Sequence, residues 1–382
     1  MHPLLENINL FDISSLTEEN VKDILTEARV LPEKISAPMC PTCGSETSAN
    51  RDSSRKLGWM WICKKKKNQL KCSGKVNPTS NTFFENVKIH ILDVFVLIVC
   101  FIVKLQISLV LEQLNMFRRR RGQPQMSWAT IVDFYSRLRE VAEIIGSHHD
   151  KLLGGPGKTI LLDETFLTKR KYNKGRKTKT MTQVVLGIYC RDDKEGIFFL
   201  VDGEKKKDLW PRIARHCNPE TSVICTDSAT QYHNINKLFN DAIHKTTNHK
   251  KGEFVNKTDK LNTINPLENE NRHFKKSIVS RKSEKSIIQY MALHFYRRTR
   301  LNTLKSLDAK VQMFLEDISW VFPGYGKEGL QLKKIEAPTV ESEGISDMMP
   351  KTFNKKLLNA LSDDDEVPFV DDEDGDPNWE EF

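Results

Sequence analysis

Apolar positions recur at helical spacing through residues 16–29. Ser15 or Thr17, followed by Glu18 and Glu19, gives that helix an N-terminus. Residues 38–85 lose this periodicity and are rich in Cys, Lys and Ser. Such a stretch has too little apolar content to fold alone and reads as a small metal-held module. Helical spacing returns over 88–104, 108–117 and 127–145. The most apolar run, 94–103, is shorter than the ~20 residues a bilayer span needs, so it predicts a buried helix. The second and third of these helices are joined by Arg118, Arg119, Arg120, Arg121 and Gly122. A helix-turn-helix and an ordinary helical linker both fit that arrangement.

A cluster of breakers (Gly154, Gly155, Pro156, Gly157) marks a boundary. Beyond it the pattern predicts strands at 159–163, 181–190 and 196–202, a helix at 208–217 and a strand at 222–227. A helix at 228–239, a strand at 242–248, a helix at 266–285 opened by Pro266, and a basic helix at 286–305 follow. This order implies an α/β fold with a mixed sheet flanked by helices. Residues 335–382 carry little periodicity and predict a disordered tail. The domains expected are an N-terminal helical segment (1–37), a metal module (38–85), a helical region (86–150), an α/β domain (155–305) and a C-terminal extension (306–382).

Charge sharpens the picture. The chain has 382 residues and a net charge of +8. Residues 363–382 hold eleven acidic residues and no Lys or Arg, so residues 1–362 carry +19. A body that basic, with its cations in runs, points to nucleic acid as partner. The polar and acidic start argues against a secretory signal, and no membrane partner is expected. The cysteines after residue 72 show no pairing pattern, so disulfides are not expected.

Cys40 and Cys43 open a knuckle, Pro-Thr lying between them and Gly44 after. Cys63 and Cys72 supply a second, wider pair. Four thiolates suit a structural Zn2+ with no open position for catalysis. A redox pair would need a strand before it and a helix after it; Pro38 and Gly44 favour zinc. The intervening Lys64, Lys65, Lys66 and Lys67 fit a looped-out basic finger.

Three acids fall where a sheet could gather them. Asp163 ends the first strand of the α/β region, Asp227 ends the fourth, and Glu268 lies in the first turn of a later helix. If the first and fourth strands are neighbours, both aspartates lie at the carboxyl edge where open α/β sheets bind ligands. Clustered carboxylates repel one another unless hard divalent ions neutralise them, which points to Mg2+ (or Mn2+) and phosphodiester chemistry. Singly, each acid is an ordinary strand-end or helix-start residue.

At these residues the chain resembles the Merlin superfamily of DDE transposases and its bacterial insertion-sequence relatives. The likeness rests on Asp163, Glu164, Thr165 and Phe166 with the basic run Lys169, Arg170, Lys171, Lys174, Gly175 and Arg176; on Thr226, Asp227 and Tyr232; on Asn248 and His249 with Glu253; and on Asn265, Leu267 and Glu268 with Lys275. The cysteine knuckle, residues 81–84, and Trp128 with Arg139, Glu140 and Val141 are similar to the family's ribbon and helical region. Asn271 stands where the family usually carries an aromatic.

The resemblance implies a ribonuclease-H-like core behind a zinc ribbon, with Asp163, Asp227 and Glu268 as the catalytic, Mg2+-binding triad. It implies hydrolytic nicking at transposon ends and attack of the freed 3′-hydroxyl on target DNA, by a protein that is a homo-oligomer in the active complex. Lys169, Arg170, Lys171, Lys174, Arg176, His249, Lys275 and the run Arg118, Arg119, Arg120 and Arg121 are expected on DNA. The alternative is a domesticated, non-cutting DNA-binding protein. Residence follows the host: the nucleus in a eukaryote, the cytoplasm otherwise.

Overall fold

The computed structural model describes residues 1–67, 70–147, 152–167, 183–247, 263–278 and 284–324. Helix α1 (Glu18–Glu27) starts in a capping box: Thr17 accepts from the Asn20 amide at 3.2 Å while Asn20 Oδ1 accepts from the Thr17 amide at 3.0 Å. Of the two candidate caps, Thr17 is the one used. Glu18 turns outward to a different helix. Its carboxylate accepts from the amides of Ile91 and Leu92 at 3.0 and 3.2 Å and so caps α2 (Ile91–Ile102).

In α2 every residue but Val96 is buried, in keeping with its apolar run. No helix among the described residues is long and apolar enough to cross a membrane. Helices α3 (Ile107–Arg120) and α4 (Trp128–Ser147) follow. Ser127 opens α4 by accepting from the Thr130 amide at 3.2 Å. Late in the chain come α7 (Glu284–Tyr296), a π-type turn at Arg297–Leu301, and α8 (Leu307–Val321). One apolar core joins α1, α2, α3, α4, α7 and α8, from Leu5 to Val321. The helical body is thus built from segments on both sides of the sheet region. Its ends meet directly, where Asp308 Oδ2 accepts from the Asn7 amide at 3.1 Å.

The cysteine-rich segment folds as strands β1 (Thr47–Arg51), β2 (Trp59–Cys63) and β5 (Lys75–Val76), ordered β1-β2-β5. Trp59, Trp61 and Val76 form its small apolar cluster. The basic finger is a hairpin of β3 (Lys66–Lys67) and β4 (Leu70–Lys71).

The α/β region is a five-stranded sheet in the order β10-β9-β6-β7-β8. Its strands are β6 (Thr159–Phe166), β7 (Val184–Cys190), β8 (Glu195–Val201), β9 (Val223–Asp227) and β10 (Ile243–Thr247). The β6-β7-β8 part is antiparallel, and β9 and β10 add in parallel on the other side of β6. This is the mixed sheet expected. Helix α5 (Lys206–His216) covers one face, through Leu209, Trp210 and Ile213. Helix α6 (Asn265–Ser277) covers the other, through Leu267 and Phe274.

Two expected helices change form. Residues 228–239 make two short 3-10 turns, Thr230–Tyr232 and Ile235–Leu238, separated by Asn234 in the left-handed region at φ 62°. Tyr232, Ile235 and Leu238 are the buried residues there. Their spacing of three matches the 3-10 period and imitates an amphipathic α-helix in the sequence. The expected helix 266–285 ends at Ser277, where the Ser277 hydroxyl turns back to the Phe274 carbonyl at 2.6 Å.

Candidate functional site

Adjacent residues of a strand face opposite sides of a sheet. In β6, Leu161 lies with the α6 core and Ile160 and Leu162 with the α5 core. Asp163 therefore shares the α6 face. The parallel register pairs Leu161 with Cys225, so two residues on, Asp227 flanks Asp163 on the same face. Glu268 enters from above, in the first turn of α6 after Pro266. Asn271 and Lys275 follow on its stripe, at the three- and seven-residue spacing that keeps one helix face.

The close approach of α6 depends on Gly187, directly opposite Asp163 on β7. A Cβ there would stand 2.9 Å from Leu267 Cδ1 and 3.2 Å from Asn271 Oδ1. With that space clear, Asn271, 5% exposed, donates from Nδ2 to Asp163 Oδ2 at 2.8 Å. Asp227 is held from its own side, Oδ1 accepting from the Ala229 amide at 3.0 Å.

Burial raises the Asp163 carboxyl to about 8, and the charges of Glu164, Asp227 and Glu268 push the same way while Lys275 opposes them. Those three acids and Lys275 thus act on one carboxyl. Glu164 faces the opposite side, beside Tyr232 and Gln231, and burial raises it to about 7. The strand alternation visible in residues 160–164 is the sequence signal that separates these neighbouring acids. Asn271 stood out only as a departure from a family pattern; its spacing from Glu268 was the available clue to its place beside Asp163.

The arginine run divides. Arg118 is buried and joins the fully buried Asp93 of α2, as does Arg121. Arg118 Nε also donates to the Pro124 carbonyl at 2.7 Å, closing the turn after α3. A carboxylate inside so apolar a helix needs cations against it. Arg118 is therefore packed inward and not open to solvent, and Arg121 is largely committed. Arg119 and Arg120 remain exposed. Asp93 itself was missed in the sequence, although a lone acid in an apolar run before four arginines was its signal. Lys169, Arg170, Lys171, Lys174, Arg176 and His249 lie outside the described residues, as does the acidic stretch 363–382.

The four knuckle cysteines come together. Among the described residues they are the group whose ligand atoms all lie within 4.8 Å of one another, a closeness the three carboxylates do not reach. Cys40 and Cys72 sulfurs are 3.7 Å apart, and those of Cys43 and Cys63 3.5 Å. Tetrahedral zinc with Zn–S of about 2.3 Å requires S···S of roughly 3.8 Å, so the donor set is compatible with zinc. Gly74 closes the site: its amide lies 3.4 Å from Cys72 Sγ, and a Cβ on it would fall 2.2 Å from Cys40 Sγ. The Cys43 thiol is lowered to about 6, chiefly by hydrogen bonds from Ser45. At Cys63 beside it the Lys65 backbone also lowers, but burial and the neighbouring thiols outweigh it and push that thiol up to about 12.

No curated protein matches the chain. Residues 152–299, which carry Asp163, Asp227, Glu268 and the whole five-stranded sheet, match the model of the ISXO2-like transposase domain, so this part of the chain is similar to transposases of the DDE kind.

Proposed function

We propose that this protein is a DDE transposase of the Merlin type, with a ribonuclease-H-like core that cuts transposon ends and joins the 3′-hydroxyl to target DNA. The observation that carries this reading is the convergence of Asp163, Asp227 and Glu268 on the α6 face, inside the segment similar to a transposase domain.

The donor set fits divalent ions. All three groups offer hard oxygen ligands; Asp163 is raised chiefly by burial, with the charges of Glu164, Asp227 and Glu268 adding, and a cation would offset both. Bound Mg2+ or Mn2+ would supply an activated water or 3′-hydroxyl and stabilise the leaving oxygen. The chain's own residues do the positioning. Asn271 fixes one oxygen of Asp163 and leaves the other free to turn toward a ligand. The Ala229 amide holds one oxygen of Asp227 from its own side. Lys275, whose charge reaches Asp163, is placed to meet a phosphate.

The cysteine ribbon and the helical body supply further DNA contacts in this reading, through the basic hairpin, Arg119 and Arg120. The basic run at 169–176 and His249 are proposed to join them, with the active complex a homo-oligomer. The working parts in this reading are the ribbon at 38–85, the sheet region, and one helical body whose core is shared by α1, α2, α3, α4, α7 and α8.

The test is incubation with Mg2+ or Mn2+ and DNA bearing the element's terminal repeats. Nicking followed by joining is expected, with Asp163→Asn abolishing cleavage while binding persists. Equal cleavage by that variant would remove Asp163 from the chemistry. Binding without nicking by the unaltered chain would leave a non-cutting DNA-binding protein.

A further inference from the structure

A second cluster of charge sits away from the carboxylates. Where α6, α7 and the π-type turn meet the end of α2, they enclose a cavity of about 230 Å3. Lys104, Arg297, Arg298, His273 and His294 line it, with Glu270 as the acid among them. Glu270 is already matched, by Arg298 and by His294 at 3.6 Å. Arg297 spends one arm on the α2 terminus, donating from Nη2 to the Phe101 carbonyl at 3.1 Å. Its Nε–H is buried with no acceptor. The charges acting on Lys104, after burial itself, are Arg297, Lys310 and Arg298, all of its own sign, and its ammonium is held below the usual lysine range.

The buried Nε–H of Arg297, left without an acceptor, is costly unless something else occupies the space, and Lys104 on the exposed rim brings a further cation to it. The missing partner is an anion rich in acceptor oxygens. We propose that this cavity is a phosphate site, formed by Lys104 and Arg297 with His273 beside them, and that it holds a backbone phosphate of bound DNA away from the cleaved bond. The DNA assignment rests on the transposase reading; the anion assignment does not. Helix α6 supports the DNA source, since it carries Glu268 and Lys275 on one side and Glu270, His273 and Ser277 on the cavity side. A helix with its side chains is about 10–12 Å across, so a strand lying at Glu268 runs within reach of the cavity.

Lys104→Gln in the full chain tests this. Loss of one phosphate contact should lower the salt slope of duplex binding by about 0.9, a weakening of about fivefold at roughly 0.15 M salt. Lys104→Arg should restore both. The free Lys104→Gln protein should melt no lower than the parent, because the substitution relieves repulsion among cations. A salt slope unchanged in Lys104→Gln overturns the proposal. Inorganic phosphate separates the sources: a Lys104-dependent thermal shift by phosphate without a Lys104-dependent DNA slope overturns the DNA assignment. Failure of cleavage with the slope change intact would sink the transposase reading and leave the cavity standing. Cleavage with no slope change would do the reverse.

Discussion

Gly74→Ala should dismantle the cysteine site through one methyl group. The added carbon would lie 2.2 Å from Cys40 Sγ. Nonbonded heavy atoms settle at about 3.5–4.0 Å, so the sulfur or the loop must retreat by roughly 1.3 Å or more. Zinc sites tolerate about ±0.2 Å in ligand distance. Cys40 could not then serve as a ligand if the site holds zinc. If four thiolates share the roughly 10–16 kcal/mol of structural zinc binding, losing one costs about 2.5–4 kcal/mol, or roughly 100- to 1,000-fold in affinity. Competition against a chromophoric chelator measures it. Gly44→Ala is the control: Gly44 adopts φ +65° but has nothing within 4 Å of an added Cβ. Its demand is conformational, about 1–2 kcal/mol, and Gly44→Asn should relax it. Zinc affinity in Gly74→Ala within threefold of the parent would refute the steric reasoning.

Asp93→Ala should destabilise the helical body by about 3–5 kcal/mol, since it strands Arg118 in the core; a urea midpoint shift worth under 1 kcal/mol would contradict it. His216 stacks on Phe199 at 4.3 Å, and burial, with Arg215 and Arg212 adding, lowers its pKa to about 4. The unfolded chain binds that proton near 6.5 while the fold refuses it, so stability should fall as pH drops from about 6.5 toward 4, by up to about 3 kcal/mol. His216→Phe should flatten that part of the curve, and an unchanged slope in denaturant melts across this range would dismiss the assignment.

Much of this was legible in the chain. The strands at 159–163, 196–202 and 222–227 were visible because β-runs ending in Asp or following a turn leave a short-range pattern. The fold carries the first on to Phe166, so that Asp163 lies within the strand and not at its end, shifts the second to Glu195–Val201 and trims the third to Val223–Asp227. The ribbon was visible because thiolate pairs announce themselves by spacing. Three features resisted. Tyr232, Ile235 and Leu238 mimic a helix because 3-10 and α periods coincide over so few residues. Helix α8 went unassigned; its role appears only when Phe314 and Ile318 join the core of α1 and α2. The arginine run looked like one surface patch, yet Asp93, 25 residues before Arg118, divides it into inward and outward halves. Local pattern reports neither long-range packing nor the partner of a charge.

The closure of the helical body by α8 has a consequence for synthesis. Helix α2 leaves the ribosome nearly all apolar, but α8, which covers part of it, follows about 200 residues later. At roughly 5–20 residues per second that is an interval of roughly 10–40 s. During it the whole sheet region emerges while the side of the α1–α4 core that α8 later covers stays open. A nascent chain of this design calls for a holding chaperone, and stalling before residue 307 should send it to aggregates rather than to a soluble intermediate.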